Sequence, residues 1–492
     1  MLPRSGRRAV IEHLRRLLTT GAAYQASSLL ASALALFTLP LYTAHLSTAD
    51  FGYAETLLTS IILVSILLRF GIGEAFVRLY FDDEDGARRD RLARTTTAFV
   101  FVTSTVAALI GLALAAPLSQ LLLGKRDATL MAFGLLGLWA FTNLEIAYAL
   151  LRVDERRRAY LLASGANVLL TVTLTVSLVV AADQGARGYV LGNYAASTVV
   201  LLALWFAVRH RLGFASVHPR EALMPLVRFG SPTVPADAAV FALNVLDRAY
   251  LLRAESPAAA GVYAVAAKLS AVVIVAVRGF QAAWPPLAYS VADDDEAARL
   301  YAFVTTAYVL VTGLVVAGVT LLGRWLVRAL ADPRYFDAHE ALPWVALGWA
   351  LYGLFLVLVT IAGRARVTAR TFPAAAAGLV ANAVALLLLV DPLGIAGAGI
   401  ALCVAYVVML AVAHALTRRA FAVPFDWRRL GLIVAVAGGM AVAGELVLPT
   451  SGAAGFASRA LALAAIPGLL LALGVVTPAE RARVAAAVRA RR

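Results

Sequence analysis

A chain of 492 residues with 62% hydrophobic and 15% charged side chains cannot cover its own surface in water, since soluble domains run about 45–50% apolar and about 25% charged. The net charge of +14 comes almost entirely from arginine, and no basic run is interleaved with stacking aromatics, so a nucleic-acid partner is excluded. One cysteine, Cys403, and six scattered histidines exclude an internal disulfide and offer no metal-ligand spacing.

In chain order, a basic stretch from Arg4 to Arg16 comes first. Arg7, Arg8, Arg15 and Arg16 with Val10, Ile11 and Leu14 predict an amphipathic helix on the inner membrane surface over residues 1–19. The apolar run that follows, 20–44, exceeds the 7–15 residue core of a signal peptide and predicts an uncleaved first span. Further runs long enough to cross a bilayer lie at 51–76, 95–122, 128–151, 160–182 and 187–208. After a polar break at 209–220 come 228–252, 258–286, 300–322, 341–363, 372–391 and 395–417. A second break, 418–429, precedes 430–448 and 458–476. This predicts an all-α polytopic membrane protein of about fourteen spans. Pro232 and Pro235 fit the start of the seventh. The stretches 81–94 and 209–226 read as charged surface loops, and no connection is long enough for a soluble catalytic domain.

Alternating the sides from a cytoplasmic N-terminus puts about 31 cationic residues on inner segments and about 8 on outer ones, the bias of the positive-inside rule. An even number of spans puts both basic termini in the cytoplasm.

The chain also repeats itself at an offset of about 210 residues, as repeat-built transporters do. Phe51-Gly52-Tyr53-Ala54 opens the second run and Gly261-Val262-Tyr263-Ala264 the eighth. Each is followed by a tyrosine and an acidic stretch, at Tyr80–Asp85 and Tyr289–Glu296. Asn167 leads to Gly185-Ala186-Arg187-Gly188, and Asn382 to Gly394-Ile395-Ala396-Gly397. Repeats at even helix spacing share an orientation. They predict two six-helix bundles, 20–220 and 221–418, related by a pseudo-two-fold axis along the membrane normal around a central cavity. Two extra helices and a basic tail, 419–492, complete the chain. One chain holds both bundles, so a monomer suffices.

Pro40-Leu41-Tyr42, Leu46 to Tyr53, Gly71-Ile72-Gly73-Glu74-Ala75, Asp247-Arg248, Gly261 to Lys268 and the Asn382…Gly394-Ile395-Ala396-Gly397-Ala398 stretch together resemble the polysaccharide-transporter branch, the Wzx-type oligosaccharide flippases, of the multidrug/oligosaccharidyl-lipid/polysaccharide flippase superfamily. The resemblance spans helices 1–12. It implies a flippase, not an enzyme, that moves a polyprenyl-pyrophosphate-linked oligosaccharide across the bacterial cytoplasmic membrane by alternating access for cell-envelope polysaccharide. It implies a lipid-linked oligosaccharide, the bilayer and other polysaccharide assembly proteins as partners. It implies no cofactor, with coupling to a proton or sodium gradient. No arginine lies within 20–44, where the lipid II flippase branch places functional arginines, which argues against a peptidoglycan precursor.

An ionisable residue inside a span costs roughly 2.5–3.5 kcal/mol on insertion scales, and so marks a wet, functional interior. Helix 2 carries Glu55, Thr59 and Arg69 on one side, and helix 7 carries Asn244, Asp247 and Arg248 on one face. Helix 8 carries Lys268, Arg278 and Gln281, helix 4 Glu145, and helix 7 also Asp237. Arg69, Arg248, Lys268 and Arg278, with Asn244 and Gln281, are the candidate substrate-binding residues, because guanidinium forks suit phosphate oxygens. Asp247, Glu145, Asp237 and Glu55 are candidates for coupling or charge pairing. No catalytic or metal-binding residue is expected. The alternatives are a cation-coupled multidrug exporter, whose cavity should be more apolar or acidic, and a membrane enzyme of polysaccharide assembly, which should show a large outer loop or a carboxylate pair near one membrane face.

Overall fold

The computed structural model describes residues 32–82, 85–209, 212, 219–367 and 371–475. The expected N-terminal amphipathic helix, the start of the first run and the basic tail lie outside the described residues. Every regular element among the described residues is a helix, as lipid demands when it offers the backbone no hydrogen-bond partner. Eleven of these helices are long and apolar enough to cross a membrane, so the chain is a multi-pass α-helical membrane protein.

The helices are α1 (32–45), α2 (Thr48–Arg69), α3 (Ile72–Asp82), α4 (Gly86–Ala113), α5 (Ala115–Leu123), α6 (Ala128–Val153), α7 (Arg157–Val176), α8 (Gly185–Ala207) and α9 (Pro219–Gly230). They continue with α10 (Val234–Ala254), α11 (Pro257–Leu269), α12 (Ala271–Ser290), α13 (Asp294–Leu330), α14 (Ala338–Arg364), α15 (Thr371–Thr417), α16 (Trp427–Val447) and α17 (Gly452–Ala472).

Several apolar runs are broken where hydropathy shows no break. The 51–76 run divides into α2 and α3 at Phe70, which takes the left-handed conformation that ends α2. The 95–122 run divides at Leu114, three residues before Pro117, which has no N–H to continue a helix and sits in the first turn of the next one. The 258–286 run divides at Ser270, whose hydroxyl donates back to Ala267 O at 2.7 Å, a bond that competes with the helix ladder. The 372–391 and 395–417 runs form the two arms of α15, bent at Gly394 with φ 53° and ψ −134°, backbone angles open only to glycine.

Two expected loops contain helix among the described residues. Asp82 ends α3, and Asp85 caps α4 by accepting from Ala87 N at 2.9 Å, so Arg88 to Arg94 lie on the first turns of α4. Residues 219–230 form the short amphipathic helix α9, which takes the first residues of the seventh apolar run, and the rest of that run forms α10 from Val234, with Pro235 in its first turn.

The helices group into two compact units. The first takes in the described residues up to Val265, with Leu330–Tyr335 and Asn382–Ala398. The second takes in Ala266–Ala329, Phe336–Ala381 and the described residues from Gly399. In the first, Ile72, Phe76, Leu144, Leu201 and Leu226 pack together from α3, α6, α8 and α9. In the second, Ala317, Ile433, Ala437 and Ile466 join α13, α16 and α17. Small residues let backbones approach closely where hydrophobicity drives no association. In the first unit α2 and α11 meet as bare backbone: a methyl at Gly261 would overlap the Thr48 carbonyl oxygen and stand 3.0 Å from Gly52 N, and one at Gly52 would overlap Pro257 O. Gly261→Ala is expected to cost about 1–3 kcal/mol, read as a lower melting temperature of the detergent-solubilised protein, whereas Gly279→Ala, with nothing within 4 Å of the added carbon, leaves it unchanged.

Candidate functional site

The first unit holds a layer of polar side chains inside an apolar bundle. Helix α2 packs against α6, α8 and α10, and one stripe of it supplies the layer. Glu55 is buried and accepts from the Tyr189 hydroxyl of α8 at 2.9 Å. The Tyr189 ring is held edge-on by Tyr42 at 5.2 Å and Phe51 at 5.6 Å. One turn along α2, Thr59 donates to Glu55 O at 2.7 Å and accepts from Arg248 Nη1 of α10 at 2.5 Å. Arg248 Nε is buried and has no hydrogen-bond partner among the described residues.

Asp247 is 1% exposed. The Tyr263 hydroxyl of α11 donates to one of its carboxylate oxygens at 3.0 Å, and Asn382 Nδ2 of α15 to the other at 3.0 Å. This bond lies within the first unit, to which α15 contributes Asn382–Ala398. A buried carboxylate requires such donors, and two of them anchor three helices to one side chain. Asn244 sits one turn before this pair and is half-buried.

A second cluster lies at the other end of α2. Arg69 stands 3.6 Å from Glu145 of α6, with the two side chains 18% and 31% exposed. Asp237, exposed in the first turn of α10, is within electrostatic reach of Arg69 and Glu74. Of the sequence-predicted residues, the first unit therefore pairs Arg69 with Glu145 and joins Arg248 to Thr59 beside Glu55. Lys268, half-buried in the last turn of α11, and Arg278 and Gln281, exposed on α12, belong to the second unit.

The second unit has features that charge counting missed. Arg459 is wholly buried in α17. It donates to the carbonyls of Leu321 at 3.2 Å, Leu448 at 3.2 Å and Pro449 at 3.0 Å, and pairs with Glu445 of α16. Arg324 of α13 reaches the same carboxylate at 3.4 Å. Beside this triad runs a groove of about 1030 Å³ walled by α13, α14, the second arm of α15 and α16, and lined mostly by Leu, Val, Ala and aromatic side chains. The missed signal was Glu445, an acidic residue inside an apolar run. Among the described residues no group of three or more His, Cys, Asp or Glu side chains is placed to hold a metal ion.

Carboxylates and guanidinium groups sunk among spanning helices mark a functional interior. The chain belongs to the polysaccharide biosynthesis protein family, whose sequence profile matches residues 18–288. This is the polysaccharide branch of the flippase superfamily, as the motifs implied. Among solved structures it is similar to the lipid II flippase MurJ in an inward closed conformation, at TM-score 0.74 and 13% identity over 92% of this chain and 98% of that one. It is also similar to an inward-facing multidrug resistance MATE family transporter, at TM-score 0.65 and 14% identity over 82% and 95%. The Vibrio cholerae MATE transporter VcmN in its bent form matches at TM-score 0.56 and 16% identity over 85% and 99%. At these identities the likeness carries the fold alone. No curated protein matches the sequence.

Proposed function

We propose that this protein flips an oligosaccharide carried on a polyprenyl pyrophosphate from the inner to the outer leaflet of the bacterial cytoplasmic membrane, for surface polysaccharide assembly. Arg248 is the observation that carries the reading: a guanidinium within an apolar bundle whose Nε is buried without a hydrogen-bond partner among the described residues. A pyrophosphate supplies the acceptor such a donor lacks. Arg69, Lys268 and Arg278 are the further cations of this reading, with Asn244 and Gln281 as neutral donors. Asp247 is the coupling group, exchanging a proton or a sodium ion, and Glu55, Glu145 and Asp237 pair charge. In this reading two six-helix bundles rock about a central cavity, both termini stay in the cytoplasm, and a monomer acts beside other polysaccharide assembly proteins. The absence of arginine from 20–44 favours an oligosaccharide carrier over a peptidoglycan precursor.

A deletion strain tests the reading. A lipid-linked saccharide should accumulate while surface polysaccharide falls. Unchanged glycans with raised sensitivity to cationic drugs would instead establish a multidrug exporter, the reading that the buried carboxylates Glu55 and Asp247 favour. Lys268→Glu, a reversal of charge, is expected to lower flipping at least about tenfold in a fluorescent-substrate proteoliposome assay. Wild-type rates would remove Lys268 from the site.

A further inference from the structure

The groove of the second unit is built from stripes at helical spacing. Tyr308, Thr312, Val316, Thr320 and Arg324 line it from α13, and Glu340, Trp344, Leu347, Leu351 and Leu354 from α14, each set three or four residues apart and so on one face. From Thr305 to Arg324 the wall runs about 28 Å at 1.5 Å per residue, the thickness of a bilayer's hydrocarbon core.

Charge is confined to its ends. At one end Arg459 spends its donors on three carbonyls and on Glu445, so the Glu445 carboxylate is already compensated from behind. Arg324 adds only its 3.4 Å contact to that carboxylate, and its Nε is buried without a hydrogen-bond partner among the described residues. Arg324 thus brings a positive charge that the triad does not cancel. Glu340 brings a carboxylate to the same groove, one helical turn from the indole of Trp344. A guanidinium, a carboxylate and an aromatic face above an apolar trough match a headgroup carrying both signs: phosphate to Arg324, ammonium to Glu340 and the Trp344 ring. A purely anionic headgroup would meet Glu340, and a lone cation would meet Arg324, so both are selected against.

We propose that this groove is a binding site for a zwitterionic, ammonium-bearing phospholipid, with its phosphate on Arg324, its ammonium between Glu340 and Trp344, and its acyl chains along α13 and α14. The site is independent of the transported substrate.

The test is native mass spectrometry of the full-length protein titrated with dioleoyl phosphatidylethanolamine and dioleoyl phosphatidylglycerol. The wild type is expected to prefer the ethanolamine lipid by about tenfold. Glu340→Gln should abolish the preference by weakening only the ethanolamine lipid, and Arg324→Gln should weaken both. Arg324 also supports Glu445, so a poorly folded Arg324→Gln protein leaves the decision to Glu340→Gln, which disturbs no contact in the triad. Equal binding of the two lipids by the wild type, or a preference that survives Glu340→Gln, would overturn the proposal and reduce the groove to a trough for bulk lipid.

Discussion

Arg459→Ala is expected to destabilise the protein by about 3–5 kcal/mol, the range for stripping one partner from a buried ion pair. The Arg459 side chain is wholly buried, and it has two tasks. It neutralises Glu445, and it satisfies the carbonyls of Leu448 and Pro449 just past the end of α16, where a helix leaves acceptors without partners. Alanine removes both and leaves a carboxylate with only the 3.4 Å contact to Arg324. The double variant Arg459→Met with Glu445→Leu removes both charges of the pair and should recover about half of the loss, because no carboxylate is left facing the vacated site, although the cap is still missing and Arg324 loses its partner. Unfolding in mixed detergent micelles measures both. A single variant as stable as wild type would show that α17 is not held by this side chain.

Asp247→Asn is expected to stop transport while the fold survives. The amide keeps the shape and one acceptor, and the Tyr263 hydroxyl can turn to accept where it now donates, so the stability cost should stay near 1 kcal/mol. The negative charge, however, is gone from a position where Tyr263 and Asn382 hold it at 3.0 Å each. Substrate flipping in proteoliposomes should fall by about 100-fold, equivalent to roughly 2.7 kcal/mol, and dependence on the imposed proton or sodium gradient should vanish. A variant that flips at the wild-type rate with wild-type ion dependence would move the coupling elsewhere. A variant that melts far below wild type would show instead that the carboxylate is needed to join α10, α11 and α15.

The helices were legible because lipid leaves the backbone one solution and hydropathy marks where it is used. The breaks at Phe70, Leu114 and Ser270 were not, since a left-handed cap or a back-bonding hydroxyl leaves the apolar average unchanged. The break at Gly394 was visible because a short interruption, Asp391-Pro392, sits just before it. In the candidate site, the faces of α2 and α10 could be read from charges that are costly in a span. Their partners could not: Asn382 is 135 residues from Asp247, and which helix packs on which is a tertiary matter. Arg459 stands at the very start of the last apolar run, 458–476, whereas α17 begins at Gly452, so the sequence hides how far inside the helix this charge lies.

The crossing of α2 and α11 joins the two copies of one repeated sequence element, Phe51–Ala54 and Gly261–Ala264, through Gly52 and Gly261 with no side chain between them. Such a junction has no knobs to withdraw and no ion pair to break. In a bilayer, lipid tails can replace the lost contact at little cost, because apolar surface gains nothing there by being hidden. Under the proposed alternating access, the two strips of bare backbone would serve as a smooth bearing that parts and rejoins without any rotamer having to change, and a single methyl on either strip would be grit in it.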